Sequence, residues 1–191
     1  AVGGSSLNKG IQLSGASLIS GTGNISLRGT GKPLHEGIRI FASSVTSTDG
    51  DITVRGTGGG GGNSVGINLD GGNVLSTGSG AISLTGVPTG TSNAFSMSNS
   101  STVGGGSASG DITITADSFS ISAGTTIQST GNLTIRPLTA SETIGIGGGA
   151  GNLSIDATEL GRLSDGFASI TIGDATSGTG AVNVDSSTFN D

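Results

Sequence analysis

The chain has 191 residues with a formal net charge of −6, and only 10% of them are charged. No basic stripe is present, so neither a nucleic-acid backbone nor an anionic membrane surface is an expected partner. The absence of cysteine excludes disulfides and thiolate metal sites. No apolar run approaches the roughly 18 residues that a membrane-spanning helix needs, so no membrane span is predicted.

Short apolar-x-apolar pairs recur along the chain in two alternating positions. In a β-strand such a pair sends both apolar side chains to one face. The pairs of the first position start 24 to 29 residues apart and are Ile11/Leu13, Ile38/Ile40, Ile67/Leu69, Phe95/Met97, Phe119/Ile121, Ile144/Ile146 and Ile170/Ile172. The pairs of the second position follow 9 to 17 residues later and are Ile25/Leu27, Ile52/Val54, Ile82/Leu84, Ile112/Ile114, Leu133/Ile135, Leu153/Ile155 and Val182/Val184. Repetition at this period, without helical spacing, predicts an all-β parallel β-helix of about seven coils of 24–29 residues.

A third apolar element lies between the two strands of most coils. Its members are Leu18-Ile19, Val45, Val74-Leu75, Val103 and Ile127. Coils six and seven lack it, since residues 147–149 and 175–177 hold the equivalent positions, and the cross-section should narrow or change shape there. The connections after the second strands vary most in length, so one lateral face is predicted to be rich in loops.

Coils that stack as parallel strands about 4.8 Å apart turn each strand position into a column. For the second strand, the column expected to face inward is Ile25, Ile52, Ile82, Ile112, Leu133, Leu153 and Val182. The column expected to face outward is Ser26, Thr53, Ser83, Thr113, Thr134, Ser154 and Asn183. Small polar residues at every outward position suit a pleated, solvent-facing surface.

The residue that enters the second strand follows a glycine in every coil. This column is Asn24, Asp51, Ala81, Asp111, Asn132, Asn152 and Ala181. Its two aspartates never occupy adjacent coils, which keeps like charges apart. Its asparagines are expected to form a hydrogen-bonded ladder along the stack. Just after the strand, Arg136 is predicted to lie beside Asp156 as an exposed ion pair worth only about a few tenths of a kcal/mol.

Apolar residues make up 31% of the chain, which is enough for a solenoid because its core is a thin column along the axis. We expect residues 1–191 to form one solenoid segment. The chain starts without an initiator methionine or a recognisable signal peptide, so the segment is predicted to be internal to a longer polypeptide. No capping segment is recognisable at either end, and the expected partners are therefore further coils of the same chain or other copies associating end to end.

No catalytic, cofactor-binding or metal-binding residue is predicted, and no cofactor is expected. The nearest approach to an acid-base cluster is Asp49 and Asp51 with Arg55, for which turn chemistry before a strand is the better explanation. His35 is the only histidine and precedes Glu36 in a proline-containing loop. No second histidine or cysteine exists to complete a metal or triad site, so both are expected to be solvated loop residues.

Several repeat units resemble a known family. The units are Gly-Asp-Ile-Thr-Val at 50–54, Gly-Asn-Leu-Thr-Ile at 131–135 and Gly-Asn-Leu-Ser-Ile at 151–155. With their intervening Ser-Thr-Gly turns they are similar to the repeats of filamentous-haemagglutinin-type exoproteins of Gram-negative bacteria, most closely over residues 165–184. The resemblance extends over essentially the whole chain. It implies a right-handed parallel β-helix and export to the cell surface or medium as part of an adhesin or matrix fibre.

The expected function is structural and adhesive: a stiff stalk or fibre segment of a secreted or surface-exposed bacterial protein, without catalysis of its own. Its expected location is extracellular or on the bacterial cell surface, and its expected ligand is a cell-surface carbohydrate or protein receptor. The alternatives are a carbohydrate-active β-helix enzyme and a carbohydrate-binding module on the loop-rich face. An enzyme would need converging carboxylates in a cleft, whereas a stalk needs only ladders between coils.

Overall fold

A computed structural model describes residues 8–62 and 64–188, so residues 1–7, 63 and 189–191 of the predicted 1–191 segment lie outside the described residues. The described part is a parallel β-solenoid of nineteen short strands and a single four-residue helix. Strands pair in parallel throughout these residues, and the predicted all-β fold class is confirmed. Within residues 8–62 and 64–188, no helix is long and apolar enough to cross a membrane.

The first five coils each contain three strands. Coils one and two contain β1 (Ile11–Ser14), β2 (Ser17–Ser20), β3 (Ile25–Thr30), β4 (Ile38–Phe41), β5 (Ser44–Ser47) and β6 (Ile52–Thr57). Coils three and four contain β7 (Ile67–Asp70), β8 (Asn73–Ser76), β9 (Ile82–Val87), β10 (Phe95–Ser98), β11 (Thr102–Gly104) and β12 (Ile112–Thr115). Coil five contains β13 (Phe119–Ile121), β14 (Thr126–Gln128) and β15 (Asn132–Arg136). The remaining elements are β16 (Ile144–Ile146), β17 (Leu153–Ile155), α1 (Ala157–Leu160), β18 (Ser169–Ile172) and β19 (Val182–Val184).

Corresponding strands of successive coils form three long sheets. Sheet A has the order β1-β4-β7-β10-β13 and sheet B has β2-β5-β8-β11-β14. Sheet C has β3-β6-β9-β12-β15-β18. Sheet B is built from the predicted third apolar element, with Leu18, Val45, Val74, Val103 and Ile127 paired in register.

The core is one continuous apolar column enclosed by the three sheets. Ile52, Ile82 and Ile112 pair in register in sheet C and are at most 1% exposed, whereas Thr113 beside them is half-buried on the outer face. Strict alternation thus separates core from surface as predicted. Phe95 and Phe119 of sheet A stack with their ring centroids 5.5 Å apart. Full burial of each large apolar side chain stabilises the fold by about 1.5–3 kcal/mol.

A column of glycines forms the corner that leads into sheet C. A Cβ added to Gly50 would lie 2.1 Å from the carbonyl oxygen of Gly23. The same contact, at 2.3 Å, would join a Cβ on Gly80 to Gly50 and a Cβ on Gly110 to Gly80. Backbones of neighbouring coils touch here, and this close approach explains why a glycine precedes each second strand in these coils.

After Arg136 the structure departs from the predicted repeat. Ile144 was predicted to extend the first-position column but pairs with Leu153 and Val182 in a separate sheet D of order β17-β16-β19. Leu133 pairs with Ile170 in sheet C, so Leu153 does not continue the second-position column. Sheets A and B hold five strands each and sheet C six, which is fewer than the seven coils predicted.

The missing third strand explains this departure. Without it, residues 147–152 return the chain from β16 to β17 in one short turn, and the two strands pair in parallel with Ile144 opposite Leu153. Gly147 and Gly148 have positive φ angles, which this turn requires. Val182 and Val184, predicted to face inward, are 51% and 66% exposed. The predicted change of cross-section toward the carboxyl end is therefore present.

Replacement of Ile112 by Lys should destabilise the fold by about 3–5 kcal/mol, because it places an unpaired charge in the apolar column. Thr113→Lys, one residue away on the outer face, is the control and should change stability by no more than about 0.5 kcal/mol. Urea denaturation of both variants and the parent measures the difference. Similar losses from the two substitutions would contradict the inward and outward assignment.

Gly80→Ala should destabilise the fold by about 1–3 kcal/mol, since its new Cβ would overlap the backbone of Gly50. Gly21→Ala is the matched control, because no atom beyond Gly21 and its two chain neighbours lies within 4 Å of the Cβ it would add. Its stability should stay within about 0.5 kcal/mol of the parent in thermal denaturation. A well-tolerated Gly80→Ala would show that the coils can separate at this corner.

Candidate functional site

The carboxylates nearest to a catalytic cluster bind the next coil. Asp49 accepts hydrogen bonds from the backbone N–H and the Oγ of Ser79, both at 3.0 Å. The backbone bond from Ser79, followed by the hydroxyl bond, lowers the pKa of Asp49. Asp51 accepts from the Ala81 N–H at 3.0 Å, while Arg55 lies in β6 in register with Arg28. Both carboxylates of this group therefore accept hydrogen bonds from the next coil.

A ladder of mixed Asn and Asp side chains is present at the entrance of sheet C, and a backbone N–H of the next coil is the donor in its steps from Asn24, Asp51 and Asp111. Asn24 Oδ1 accepts from the Asp51 N–H at 2.9 Å, and Asp111 Oδ1 accepts from the Asn132 N–H at 2.8 Å. Ser169 Oγ then donates to Asn132 Oδ1 at 2.7 Å, in the place predicted for Asn152. An Asn or Asp side chain thus holds the next coil in register at these steps.

Buried hydroxyls at both corners of sheet B were missed by the sequence reasoning. Ser47, Ser76 and Ser129 are at most 2% exposed, and their Oγ atoms donate to backbone carbonyls. Ser101 and Thr125 do the same at the opposite corner. A signal was available, because these positions lie two residues after or before the apolar residue of the third element. The hydroxyls give backbone carbonyls at these turns a hydrogen bond, in several cases beside one from a backbone N–H.

The loops that join sheet C to sheet A form the predicted loop-rich face. They span residues 31–37, 58–62, 64–66 and 88–94 and line a groove of about 520 Å³. Here Lys9 Nζ lies 3.3 Å from Glu36 Oε2, and the two side chains are only 10% and 14% exposed. The groove is lined by Lys9, Leu34, His35, Glu36, Gly62, Val65, Asn68, Thr91, Ser92 and Asn93. His35 and Glu36 are half-buried groove residues, in contrast to the solvated loop expected for them.

A charged cluster adjoins the groove on the outer face of sheet A. Arg39 forms an ion pair with Asp70, and its guanidinium lies 4.8 Å from the centroid of the Phe41 ring. Asn99 Nδ2 donates to Asp70 Oδ1 at 2.6 Å. This bond, together with Arg39, lowers the pKa of Asp70. Phe41 is 40% exposed, so the cluster presents an aromatic surface beside charged and amide groups.

The predicted ion pair of Arg136 with Asp156 is wrong. Arg136 Nη1 lies 3.9 Å from Asp174, because β18 rather than β17 follows β15 in sheet C. Asp174 also accepts from Ser177 Oγ and from the backbone of Thr176 and Ser177, and these bonds lower its pKa to about 2. Asp156 instead accepts the N–H of Glu159 as the N-cap of α1.

The groove offers ammonium, carboxylate, amide and imidazole groups for hydrogen bonding to a polar ligand. Across residues 8–62 and 64–188, no three His, Cys, Asp or Glu side chains cluster as a metal site would require. A scan against protein-family models, a search of curated proteins and a search of solved structures each returned no match to this chain.

Proposed function

We propose that this chain is a stiff structural and adhesive segment of a secreted or surface-exposed bacterial protein, of the filamentous-haemagglutinin type. The stacking of its coils carries the proposal. One apolar column runs through the five regular coils, and polar side chains at the corners bind neighbouring coils. A rod of this kind transmits load along its axis through continuous sheets, as a stalk must.

The distribution of hydrogen bonds supports a stalk over an enzyme. Asp49, Asp51 and Asp111 accept bonds from the next coil, and Asp70 is held by Arg39 and Asn99. A glycosidase-type mechanism instead needs two carboxyl groups facing each other across a substrate. The repeat units quoted above add the family resemblance, from which we infer export and a location on the cell surface or in the medium.

Intact cells of the source organism should bind an antibody raised against the outer face of this segment. The reason is that a stalk or fibre must extend beyond the outermost membrane to meet its target. Flow cytometry of non-permeabilised cells, together with blotting of the culture medium, measures this, and an antibody to a cytoplasmic protein is the control. Labelling that requires permeabilisation, with no protein in the medium, would contradict the proposed location.

The loop-face groove favours carbohydrate binding as a second function of the same segment. Lys9 and Glu36 neutralise each other at its floor, and Asn68 Nδ2 lies 3.5 Å from Glu36 Oε1. Asn93 lines the same groove, so side-chain amides from two successive coils contribute donors and acceptors to it. A hydroxylated, uncharged glycan matches such a surface, because each hydroxyl both donates and accepts.

A glycan array probed with the purified chain should show binding that Asn68→Ala weakens by about tenfold, the effect of losing one buried polar contact. Ser83→Ala, on the outer face of sheet C, is the matched control and should bind as the parent does. Equal binding by the Asn68 and Ser83 variants would exclude the groove as the site. Shortened or unsaturated products from any bound glycan would favour the enzyme alternative.

A further inference from the structure

At the carboxyl-terminal side of the stack, the edge of sheet A is hydrogen-bonded to a side chain. β13 is the last strand of this sheet among the described residues. The Ser122 N–H donates back to Met97 in β10, so the alternating Ile121 N–H points to the opposite side, where a further coil would lie. Glu159 Oε1 accepts that N–H at 2.8 Å. A carboxylate oxygen therefore takes the place of the carbonyl that another strand would supply.

Helix α1 holds Glu159 in this position. The Glu159 N–H donates to Asp156 Oδ1 at 2.8 Å, and the Asp156 N–H donates to Glu159 Oε2 at 3.1 Å. The two residues thus form a capping box, which fixes both the start of the helix and the direction of the Glu159 side chain. Glu159 is only 9% exposed, and burial raises the pKa of its carboxyl against the opposing effect of the two N–H donors.

Sheet B ends a few residues later on a single bridge. The Ile127 N–H donates to Arg162 O, and the Ser164 N–H donates to Ile127 O, both at 3.0 Å. Leu163 bridges Ile127 between these two bonds without forming a strand. The N–H and C=O of Ile127, at the centre of β14, point away from β11 and thus both have hydrogen-bond partners.

The same segment covers the open end of the apolar column. Leu160, Leu163 and Phe167 are 1%, 2% and 8% exposed and belong to the core cluster. At this end of sheets A and B, one segment therefore covers both the unpaired backbone groups of the strand edges and the end of the apolar core, which solenoids must protect. The sequence-based expectation that no capping segment is present is therefore wrong for this end of sheets A and B.

We propose that residues 156–167 are a built-in cap that prevents strand addition to sheets A and B. Among the three long sheets, extension beyond coil five is thereby restricted to sheet C, where β18 continues the sheet. This inference goes beyond the stalk function, because it states which edges are closed to association. An uncovered parallel edge of the same length would be a template for another chain.

The test compares the parent chain with Glu159→Ala and with Asp165→Ala, an exposed control that removes the same charge in the same segment. In Glu159→Ala, hydrogen exchange at the Ile121 amide should be about tenfold faster, because its acceptor is gone. Sedimentation should show association that rises with protein concentration. Asp165→Ala should match the parent in both measurements. Parent-like exchange at Ile121, or parent-like sedimentation, in Glu159→Ala would overturn the proposal.

Glu159→Gln decides the outcome if Glu159→Ala does not fold. Its single amide oxygen can still accept the Ile121 N–H, whereas the bond from the Asp156 N–H to Oε2 is lost. It should therefore fold with a lower stability than the parent but keep parent-like sedimentation and parent-like exchange at Ile121. That result beside an unfolded Glu159→Ala supports the cap. Unfolding or association of Glu159→Gln to the extent seen for Ala would overturn it, since the acceptor at the edge of sheet A is retained.

Discussion

Parallel stacking of one coil on the next is the constraint on which the rest of this structure depends. At a spacing of about 4.8 Å, each residue meets its counterpart from the neighbouring coil, so every position must tolerate a copy of itself. Isoleucine on isoleucine fills the axis in sheet C, and glycine on glycine allows backbone contact at the corner before it. Arg28 beside Arg55 occurs only because both face outward, where water screens the like charges.

The same constraint explains why so many polar side chains serve the fold. At the corners the chain leaves its strands, and the backbone groups there use side-chain hydrogen bonds beside those from neighbouring coils. Serine hydroxyls supply them inside sheet B, and Asn or Asp side chains supply them at the entrance of sheet C. Polar and charged side chains that do not bind backbone groups at the corners are concentrated on the loop face and the adjoining outer face of sheet A. Connections there differ in length between coils, which frees their side chains from stacking.

At the carboxyl side the repeat is interrupted, and the interruption has a structural use. Loss of the third strand after residue 147 lets β16 and β17 stack on each other, which places α1 directly beyond β13. Glu159 then closes sheet A and Leu163 closes sheet B, while β18 returns to sheet C. A solenoid whose long sheets have two closed edges and one continuing edge associates in fewer ways than a bare stack of coils.

The sequence by itself determined the parallel solenoid, its inward and outward columns and the register of the first five coils. Strand periodicity and repeat length are local properties, and stacking copies them from coil to coil. Only the tertiary structure decided the arrangement after Arg136, because Ile144, Leu153 and Ile170 carry the same apolar signal whichever sheet they join. The Lys9–Glu36 groove and the Glu159 bond to Ile121 were equally invisible, since each joins residues 27 or more positions apart whose contact depends on how the loops and the helix pack.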